Sequence, residues 1–325
     1  MSRKPKLLVS CRPTDAVLAR VERDYDAAIK AAEINSDADK LVAASVGMDG
    51  IFARFTDPLN AETLGRLADS VGIIATYAVG YENIDVAAAA ARGIVITNTP
   101  DVLTDATAEM TILLMLGAAR CVHEGTTLLR SGQWKGPTPI LGTQVTGKRL
   151  GIVGMGRIGR ALARRARGFG IPIHYHNRHR LAAEVESELG ATYWESLDQM
   201  LARVDIVSVN CPHTPATYHL LSARRLALLQ PHAYIVNTAR GEVVDENALT
   251  RLLRNGDIGG AALDVFENEP AVNPKLATLD NVLLLPHMGS ATIEGRNDMG
   301  NKVIENIQAF TEGRDPPDRV FGGDS

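Results

Sequence analysis

The stretch Leu150–Gly170, LGIVGMGRIGRALARRARGFG, decides the fold of this 325-residue chain. Its apolar run LGIV predicts a buried strand, and the spacing G-x-G-x-x-G follows at once, from Gly154 to Gly159. The residues from Arg160 to Phe169 then carry a helical pattern of apolar and basic side chains. Strand, glycine turn and helix in this order predict the first half of a βαβ unit, and with it a parallel sheet.

Each glycine of this spacing has its own physical purpose. The first permits the tight turn, the second lets the backbone approach a pyrophosphate, and the third lets the helix pack against the strand. The positive end of the helix dipole attracts the phosphates. A glycine turn with only a structural role is the alternative. We expect dinucleotide binding by the whole loop, which consists of Gly154, Met155, Gly156, Arg157, Ile158 and Gly159.

The end of the next predicted strand bears on the choice of coenzyme. Sites that prefer NAD carry Asp or Glu there, about 20 residues after the glycine motif, where the carboxylate binds the ribose hydroxyls. This chain has His176, Asn177, Arg178, His179 and Arg180 there, with no carboxylate. Asn177 and the guanidinium groups of Arg178 and Arg180 suit the 2′-phosphate of NADP(H), and His176 is expected beside them. We expect NADP(H) to be preferred and NAD(H) to be possible; a solvated basic turn is the alternative.

Short β-rich runs alternate with helical patterns along most of the chain, which is typical of parallel sheets covered by helices. The length suits two domains. Predicted strands lie at 6–10, 71–76 and 93–97, and then at 150–153, 173–176, 205–210, 233–238, 260–264 and 282–285. A helix from about Thr104 to Leu116 is apolar on nearly all sides and should be buried, and a last helix is expected from about Thr292 to Thr311. We therefore expect an α/β fold with two doubly wound parallel-sheet domains.

Composition excludes several classes of protein. A formal net charge of -4 and a pI near 6.1 give no reason to expect a nucleic-acid or membrane partner. The three cysteines, Cys11, Cys121 and Cys211, are widely spaced without a C-x-x-C pair, so we expect neither a disulfide framework nor a metal site. The most apolar stretch, Ile112–Ala119, is far shorter than the roughly 20 residues that span a bilayer. Because no targeting segment is recognisable, the expected compartment is the cytoplasm.

Polar side chains follow three predicted strands in the second half of the chain. They are Arg240, Glu269 and His287. Ligands of open α/β sheets bind at the carboxyl ends of the strands, so we expect these three residues to converge beside the dinucleotide. A histidine with a carboxylate partner is an acid that works near neutral pH, and an arginine is a fixed anchor for an anion. Each alone would be an ordinary strand-end residue, but together they predict catalysis.

In order and surroundings these residues resemble the D-isomer-specific 2-hydroxyacid dehydrogenases, and among them most the NADPH-dependent glyoxylate/hydroxypyruvate reductases. The resemblance is clear from about Val71 to Phe310. Besides the glycine loop, its motifs are AVGYENID at 78–85, NTARG at 237–241, VD at 244–245 and PH at 286–287. It implies a Rossmann cofactor domain, residues 101–287, inserted into a flavodoxin-like substrate domain, residues 1–100 and 288–325. It also implies a homodimer formed mainly through the cofactor domains.

The resemblance assigns roles in catalysis. It implies that His287 is the proton donor, that Glu269 is its partner, and that Arg240 binds the carboxylate and carbonyl of the substrate. Backbone N–H groups at Val79 and Gly80 would add contacts to the substrate carboxylate. Glu269 also separates the chain from the formate dehydrogenases of this fold, which carry Gln at that position.

The resemblance implies further contacts to coenzyme and substrate. Thr238 and Asp264 resemble contacts to the nicotinamide carboxamide, and Cys211 and Pro212 lie where the ribose and adenine pass. Trp134 is a candidate for the substrate pocket, with an interface aromatic as the alternative.

These residues predict a reductase of small 2-oxo acids. Hydride arriving at the carbonyl carbon leaves negative charge on its oxygen, which Arg240 can stabilise and His287 can protonate. We expect reduction of glyoxylate to glycolate and of hydroxypyruvate to D-glycerate, with NADPH preferred. Two alternatives stay open: a dehydrogenase of the same fold acting on another D-2-hydroxyacid or on phosphite, and a nucleotide-sensing binding protein like the corepressors of this fold. The complete Arg–Glu–His set argues against the latter.

Overall fold

The computed structural model describes residues 3–321. The chain divides into two compact units. Unit 1 comprises Met1–Leu103 and Ala291–Ser325, and unit 2 comprises Thr104–Ser290. The roles expected for these parts of the chain, substrate binding for the first and coenzyme binding for the second, stay predictions.

Unit 1 is built on a five-stranded sheet in the order β2-β1-β3-β4-β5, and all neighbouring strands are parallel. This is the flavodoxin-like order. Its two faces separate the apolar residues of each strand: Ile73 packs with helices on one side and Ile74 with those on the other. The elements of unit 1 are β1 (Lys6–Val9), α1 (Asp15–Asp24), β2 (Asp26–Ile29), α2 (Ala31–Ile34), α3 (Ala38–Ala44), β3 (Gly50–Ala53), α4 (Ala61–Arg66), β4 (Ile73–Thr76), α5 (Val86–Ala91), β5 (Val95–Thr97) and α13 (Ile293–Thr311).

Side-chain caps set the starts of several helices in unit 1. Thr14 accepts a hydrogen bond from the N–H of Val17, and Asp85 from that of Ala88. The last helix begins at Ile293 because the hydroxyl of Thr292 accepts from the N–H of Gly295. The prediction of a helix at 292–311 is therefore confirmed, with Thr292 as its cap.

Unit 2 is built on a seven-stranded parallel sheet in the order β12-β11-β10-β9-β6-β7-β8. The strand order reverses between β6 and β9, which makes the carboxyl ends of these strands the place for a ligand. The elements of unit 2 are α6 (Thr104–Ala119), α7 (Val122–Arg130), β6 (Leu150–Val153), α8 (Arg157–Arg167), β7 (Ile173–His176), α9 (Ala183–Leu189), β8 (Ala191–Tyr193), α10 (Leu197–Leu201), β9 (Ile206–Val209), α11 (Ala223–Leu226), β10 (Tyr234–Asn237), a 3-10 turn (Gly241–Val243), α12 (Glu246–Asn255), β11 (Gly260–Leu263) and β12 (Val282–Leu284).

The apolar helix α6 packs against α8, β10 and β11 inside unit 2. Leu114 and Met115 are buried, as the sequence predicts, whereas Leu113 is 54% exposed. No single helix within residues 3–321 is long and apolar enough to cross a membrane. The pair α6 and α7 passes that test jointly, by length and composition alone, with a bend of 68° between them.

The prediction of an α/β fold with two parallel sheets is confirmed. Three strands, β2, β3 and β8, were not among the predicted ones. Both β2 and β8 are short edge strands whose residues are only partly buried, so they lack the apolar alternation that identifies a strand.

Candidate active site

The glycine loop joins β6 to α8 and has the geometry that its spacing predicts. Gly154 has a φ of +98°, and a Cβ there would lie 2.6 Å from the backbone nitrogen of Cys211. A Cβ at Gly159 would lie 2.3 Å from the carbonyl oxygen of Gly154. At Gly156, by contrast, no atom of the described chain would lie within 4 Å of a Cβ. The first and third glycines are thus required by the protein itself, while the second leaves open space.

That open space fits a pyrophosphate. The first-turn N–H groups of a helix have no carbonyl partner within it, and α8 begins at Arg157, directly after Gly156. A Cβ at Gly156 would enter the space in front of these donors. The loop therefore suits a dinucleotide, whose phosphates would lie against the start of α8.

The strand β7 ends, as predicted, at His176. Its ring Nδ1 is 3.0 Å from the carbonyl oxygen of Trp194. Asn177 accepts a hydrogen bond from the N–H of Met155 at 3.3 Å and donates one to the carbonyl of His179 at 2.9 Å. Asn177 thus connects the strand end to the glycine loop, and the neighbouring Arg178 is exposed.

Arg180 is engaged elsewhere. Its Nε and Nη2 lie 3.0 and 2.8 Å from the two carboxylate oxygens of Glu186. The hydroxyl of Tyr175 donates to the same carboxylate at 2.5 Å. Bonds from Arg180 and Tyr175 lower the pKa of Glu186 to about 2. Arg180 is thus paired with Glu186, and its binding of a 2′-phosphate, like that of the exposed Arg178, stays a prediction.

The end of β9 lies beside the glycine loop. The first residue after this strand, Asn210, was not predicted as a site residue. The side-chain oxygen of Asn210 is buried and has no hydrogen-bond partner among residues 3–321, while its amide donates to Ser208 at 2.8 Å. The carbonyl of Pro212 accepts from Thr217 at 2.6 Å. Burial raises the pKa of the Cys211 thiol to about 11, so this thiol is not a nucleophile at neutral pH. An Asn directly after a strand at the switch point was the available signal.

His287 and Glu269 form a close pair. His287 Nδ1 is 2.7 Å from Glu269 Oε2, and Glu269 Oε1 accepts a hydrogen bond from the N–H of Phe266 at 3.0 Å. Burial alone would raise the pKa of Glu269, but the hydrogen bond and charge of His287, the N–H of Phe266 and the charge of Arg240 together lower it. Glu269 is therefore an ionised partner for the imidazole.

The backbone at His287 is held in an unusual conformation. Its φ is +55°, a left-handed value that non-glycine residues rarely adopt. Asp264 is fully buried and supports this turn: its two carboxylate oxygens accept the N–H groups of Met288 and Gly289, each at 2.6 Å. Burial raises the pKa of Asp264, and these two bonds oppose the rise. Sequence reasoning expected a nicotinamide contact at Asp264, which stays a prediction, and missed its hold on the turn.

Arg240 lies in a loop after β10 that side-chain hydrogen bonds hold in place. The side chain of Asn237 accepts from the N–H of Ala239 at 3.0 Å and donates to the carbonyl of Arg240 at 2.8 Å. The hydroxyl of Thr238 lies 2.8 Å from that of Thr111. The loop of Arg240 touches the segment of Glu269, because a Cβ at the next residue, Gly241, would lie 1.9 Å from the carbonyl carbon of Phe266. With the contact between Glu269 and His287, the three residues lie in one region of unit 2.

Three other residues are predicted to bind the substrate. Val79 and Gly80 belong to unit 1, in the loop after β4, where the carbonyl of Val79 accepts from Asn98 at 2.8 Å. Trp134 follows α7 in unit 2 and is 60% exposed. Their contacts with a substrate stay predictions.

Comparison with known proteins gives consistent matches. The model of the family described as "D-isomer specific 2-hydroxyacid dehydrogenase, NAD binding domain" matches residues 112–289. The chain is 42% identical to the glyoxylate reductase of Thermococcus litoralis, over 98% of this chain and 97% of that protein. It is also 42% identical to the glyoxylate reductase of Pyrococcus furiosus, over 98% and 95%.

Solved structures match over the same length. An NADPH-dependent glyoxylate/hydroxypyruvate reductase from Sinorhizobium meliloti, in complex with NADP and malonate, is similar with a TM-score of 0.87 and 37% identity, covering 98% of this chain and 97% of that one. A glyoxylate reductase from Paecilomyes thermophila gives a TM-score of 0.85 and 36% identity, with 98% and 99% covered.

Proposed function

Because the chain belongs to the D-isomer specific 2-hydroxyacid dehydrogenase family, we propose that it reduces small 2-oxo acids, glyoxylate to glycolate and hydroxypyruvate to D-glycerate, with NADPH as the preferred coenzyme. The observation that carries the proposal is the His287–Glu269 pair, with 2.7 Å between Nδ1 and Oε2, together with the charge of Arg240 beside it. The names of the relatives in Thermococcus litoralis and Sinorhizobium meliloti support it.

Arg240 has two tasks in this reaction. A 2-oxo acid presents a carboxylate that must be held and a carbonyl carbon that receives hydride. Bound NADPH supplies the hydride. The planar guanidinium of Arg240 binds the carboxylate at two points and so orients the carbonyl. It also stabilises the negative charge that develops on the carbonyl oxygen.

His287 donates the proton. Because its Nδ1 faces Glu269, its Nε2 is the nitrogen that gives the proton to the carbonyl oxygen. The ionised Glu269 favours the protonated imidazole and fixes the plane of the ring. Asp264 keeps the turn in place through the N–H groups of Met288 and Gly289.

The coenzyme preference rests on the end of β7. Residues 176–180 include no Asp or Glu that would repel a 2′-phosphate, and Arg178 is exposed beside Asn177. A guanidinium and an amide together offer charge-assisted donors to a phosphate. In this proposal Arg178 is the main ligand of the 2′-phosphate and Arg180 a minor one.

The remaining contacts are assigned as the family resemblance implies. Unit 2 binds the coenzyme, with Thr238 and Asp264 near the nicotinamide and Cys211–Pro212 near the adenosine. The N–H groups at Val79 and Gly80 of unit 1 bind the substrate carboxylate.

A second copy of the chain is proposed to cover the region around α7. This helix has no buried residue, and residues 131–139 after it are all exposed. Leu129, Trp134 and Leu141 are 63%, 60% and 89% exposed, which is unusual for apolar side chains grouped along one segment. We expect light scattering to give twice the mass of the chain, and the mass of a single chain would contradict a homodimer.

A panel of 2-oxo acids tests the proposed reaction. Glyoxylate, hydroxypyruvate, pyruvate and larger 2-oxo acids are each assayed with NADPH and with NADH. We expect the highest kcat/KM for glyoxylate and hydroxypyruvate with NADPH. Binding of NADPH without turnover of any member would contradict a reductase and favour a nucleotide-sensing protein.

A further inference from the structure

Unit 2 contains a second histidine–glutamate pair, which includes the residue two positions before Glu269. His219 Nε2 is 2.6 Å from Glu267 Oε1, and the same oxygen accepts a hydrogen bond from the N–H of Glu246 at 3.0 Å. In return, the N–H of Glu267 donates to the carboxylate of Glu246 at 3.2 Å. We refer to His219, Glu246 and Glu267 as the His219 cluster.

The cluster joins three segments of unit 2. His219 lies in the loop after β9, and its N–H donates to the carbonyl of Glu242 at 2.8 Å. Glu246 is the first residue of α12, which follows the Arg240 loop. Glu267 lies in the loop after β11, two positions before Glu269. Each segment therefore leads from the cluster to a part of the candidate active site.

The segments of Arg240 and Glu269 touch directly beside the cluster. A Cβ at Gly241 would lie 1.9 Å from the carbonyl carbon of Phe266 and 2.3 Å from the nitrogen of Glu267. The N–H of Phe266 donates to Glu269 at 3.0 Å. A displacement of Glu267 would therefore move the backbone that holds Glu269, and would change its distance from the Arg240 loop.

The cluster places two carboxylates close together where they are poorly solvated, which costs more free energy than a simple link between loops requires. Glu246 is 7% exposed, and burial, together with the charge of Glu267, raises its pKa, while the bond from the N–H of Glu267 opposes the rise. Bringing two carboxylates together in a poorly solvated place destabilises the folded state. A free-energy cost of this kind is typical of active sites, where it keeps side chains in the geometry that the reaction needs.

We propose that His219, Glu246 and Glu267 are positioning residues of the active site, which hold the Phe266–Pro270 segment so that Glu269 stays in contact with His287. The inference rests on the proposed function in so far as His287 is the proton donor. The charges of His287 and Arg240 act on Glu269, and that of Glu269 acts on Asp264; none of these three partners belongs to the cluster. We therefore expect a change in the cluster to act on His287 through the placement of Glu269.

The test compares Glu267→Ala with Asp205→Ala. Asp205 is a matched control, because its carboxylate also lies 2.7 Å from a histidine, His232, but at the amino end of β9, whereas the cluster lies in loops that follow the carboxyl ends of strands. For Glu267→Ala we expect kcat to fall roughly 10- to 100-fold with little change in KM, since a misplacement of about 1 Å can cost about 10²-fold. Asp205→Ala is expected to lower the melting temperature and leave kcat unchanged.

The pH profile separates positioning from stability. The alkaline limb of the reduction rate should move to lower pH in Glu267→Ala, because an imidazolium without its carboxylate partner loses its proton more readily. Glu267→Gln keeps the oxygen that accepts from the N–H of Glu246 and should restore the wild-type limb. If Glu267→Ala does not fold, His219→Asn should move the limb in the same direction.

A titration of Glu269 by carboxyl ¹³C NMR gives a readout without turnover. The pKa of Glu269 lies below its ordinary value in the wild type, and we expect it to rise in Glu267→Ala. If the wild type reduces no 2-oxo acid and this pKa still rises, the proposed function fails and the positioning role stands. An unchanged limb and an unchanged pKa, with a melting temperature lowered as in Asp205→Ala, would overturn the positioning role.

Discussion

The proton donor can be tested by replacing one residue. His287→Gln removes the ring that faces Glu269, and kcat for glyoxylate should fall by about 100-fold or more, in the range of general acid catalysis. Coenzyme affinity should survive, because the glycine loop is unchanged. His232→Gln is the control, since His232 also lies 2.7 Å from a carboxylate, that of Asp205. Near-normal turnover in His287→Gln would remove His287 from the acid role.

Two arginines after β7 should differ in their effect on the coenzyme preference. Arg178→Ala should lower kcat/KM with NADPH by roughly 10- to 100-fold and leave NADH unaffected, because hydrogen bonds to charged groups contribute about 1.5 to 3 kcal/mol. Arg180→Ala should have a smaller effect on NADPH, since Arg180 is bound to Glu186. Steady-state kinetics of both variants with both coenzymes decide this. An equal loss with NADPH and NADH would mean that the arginines support the fold.

The strand-end positions, and from the resemblance the pairing of Glu269 with His287, could be read from the sequence, but the other partners could not. Arg240, Glu269 and His287 stood out because each follows an apolar run, and the structure places them in one region of unit 2. The hydrogen bonds that the backbone after His287 donates to Asp264 depend on a left-handed turn, and the spacing of residues in the sequence does not indicate such a turn. The pairing of Arg180 with Glu186 likewise depends on how α9 packs.

At the scale of elements, two glycines of one loop should behave differently. Gly159→Ala places a Cβ 2.3 Å from the carbonyl oxygen of Gly154, so the contact between helix and strand must open and the melting temperature should fall. Gly156→Ala meets no atom of residues 3–321 within 4 Å, so the melting temperature without coenzyme should change little while NADPH affinity drops. Thermal unfolding and NADPH titration measure both. Unchanged NADPH affinity in Gly156→Ala would contradict phosphate binding at this loop.

Elements with a clear local signal were predictable, and others of the same length were not. The strands β6 and β7 and the helix α13 lie within a residue of their predicted bounds, because buried runs and capping residues mark them clearly. The strand β3, GIFA, is short and buried throughout, a pattern that a helix segment shares. The fold class survives these omissions, since the alternation of strands and helices persists without three of the strands.

For the whole molecule, acid should weaken the folded state through its paired carboxylates. Hydrogen bonds from Arg224 and Arg225 lower the pKa of Asp198 to about 2, against an ordinary 3.8. An unfolded chain takes up this proton first as the pH falls. The stabilisation is thus fully present above pH 3.8 and is lost as the pH falls towards about 2.

Asp198→Asn isolates this contribution. Both tryptophans, Trp134 and Trp194, belong to unit 2, so tryptophan fluorescence during urea unfolding reports the unit that contains Asp198. The unfolding midpoint of the variant should lie below that of the wild type at pH 7, and the difference should shrink as the pH is lowered. A difference that stays constant with pH would contradict the ion pair as its source.

One competition experiment tests the central claim, hydride transfer from NADPH to a small 2-oxo acid. The protein is given glyoxylate with equal concentrations of NADPH that carries deuterium at both C4 positions and unlabelled NADH, and the deuterium content of the glycolate is measured by mass spectrometry. We expect glycolate that mostly contains one deuterium. Mostly unlabelled glycolate would contradict the NADPH preference, and the absence of glycolate would contradict the proposed reaction.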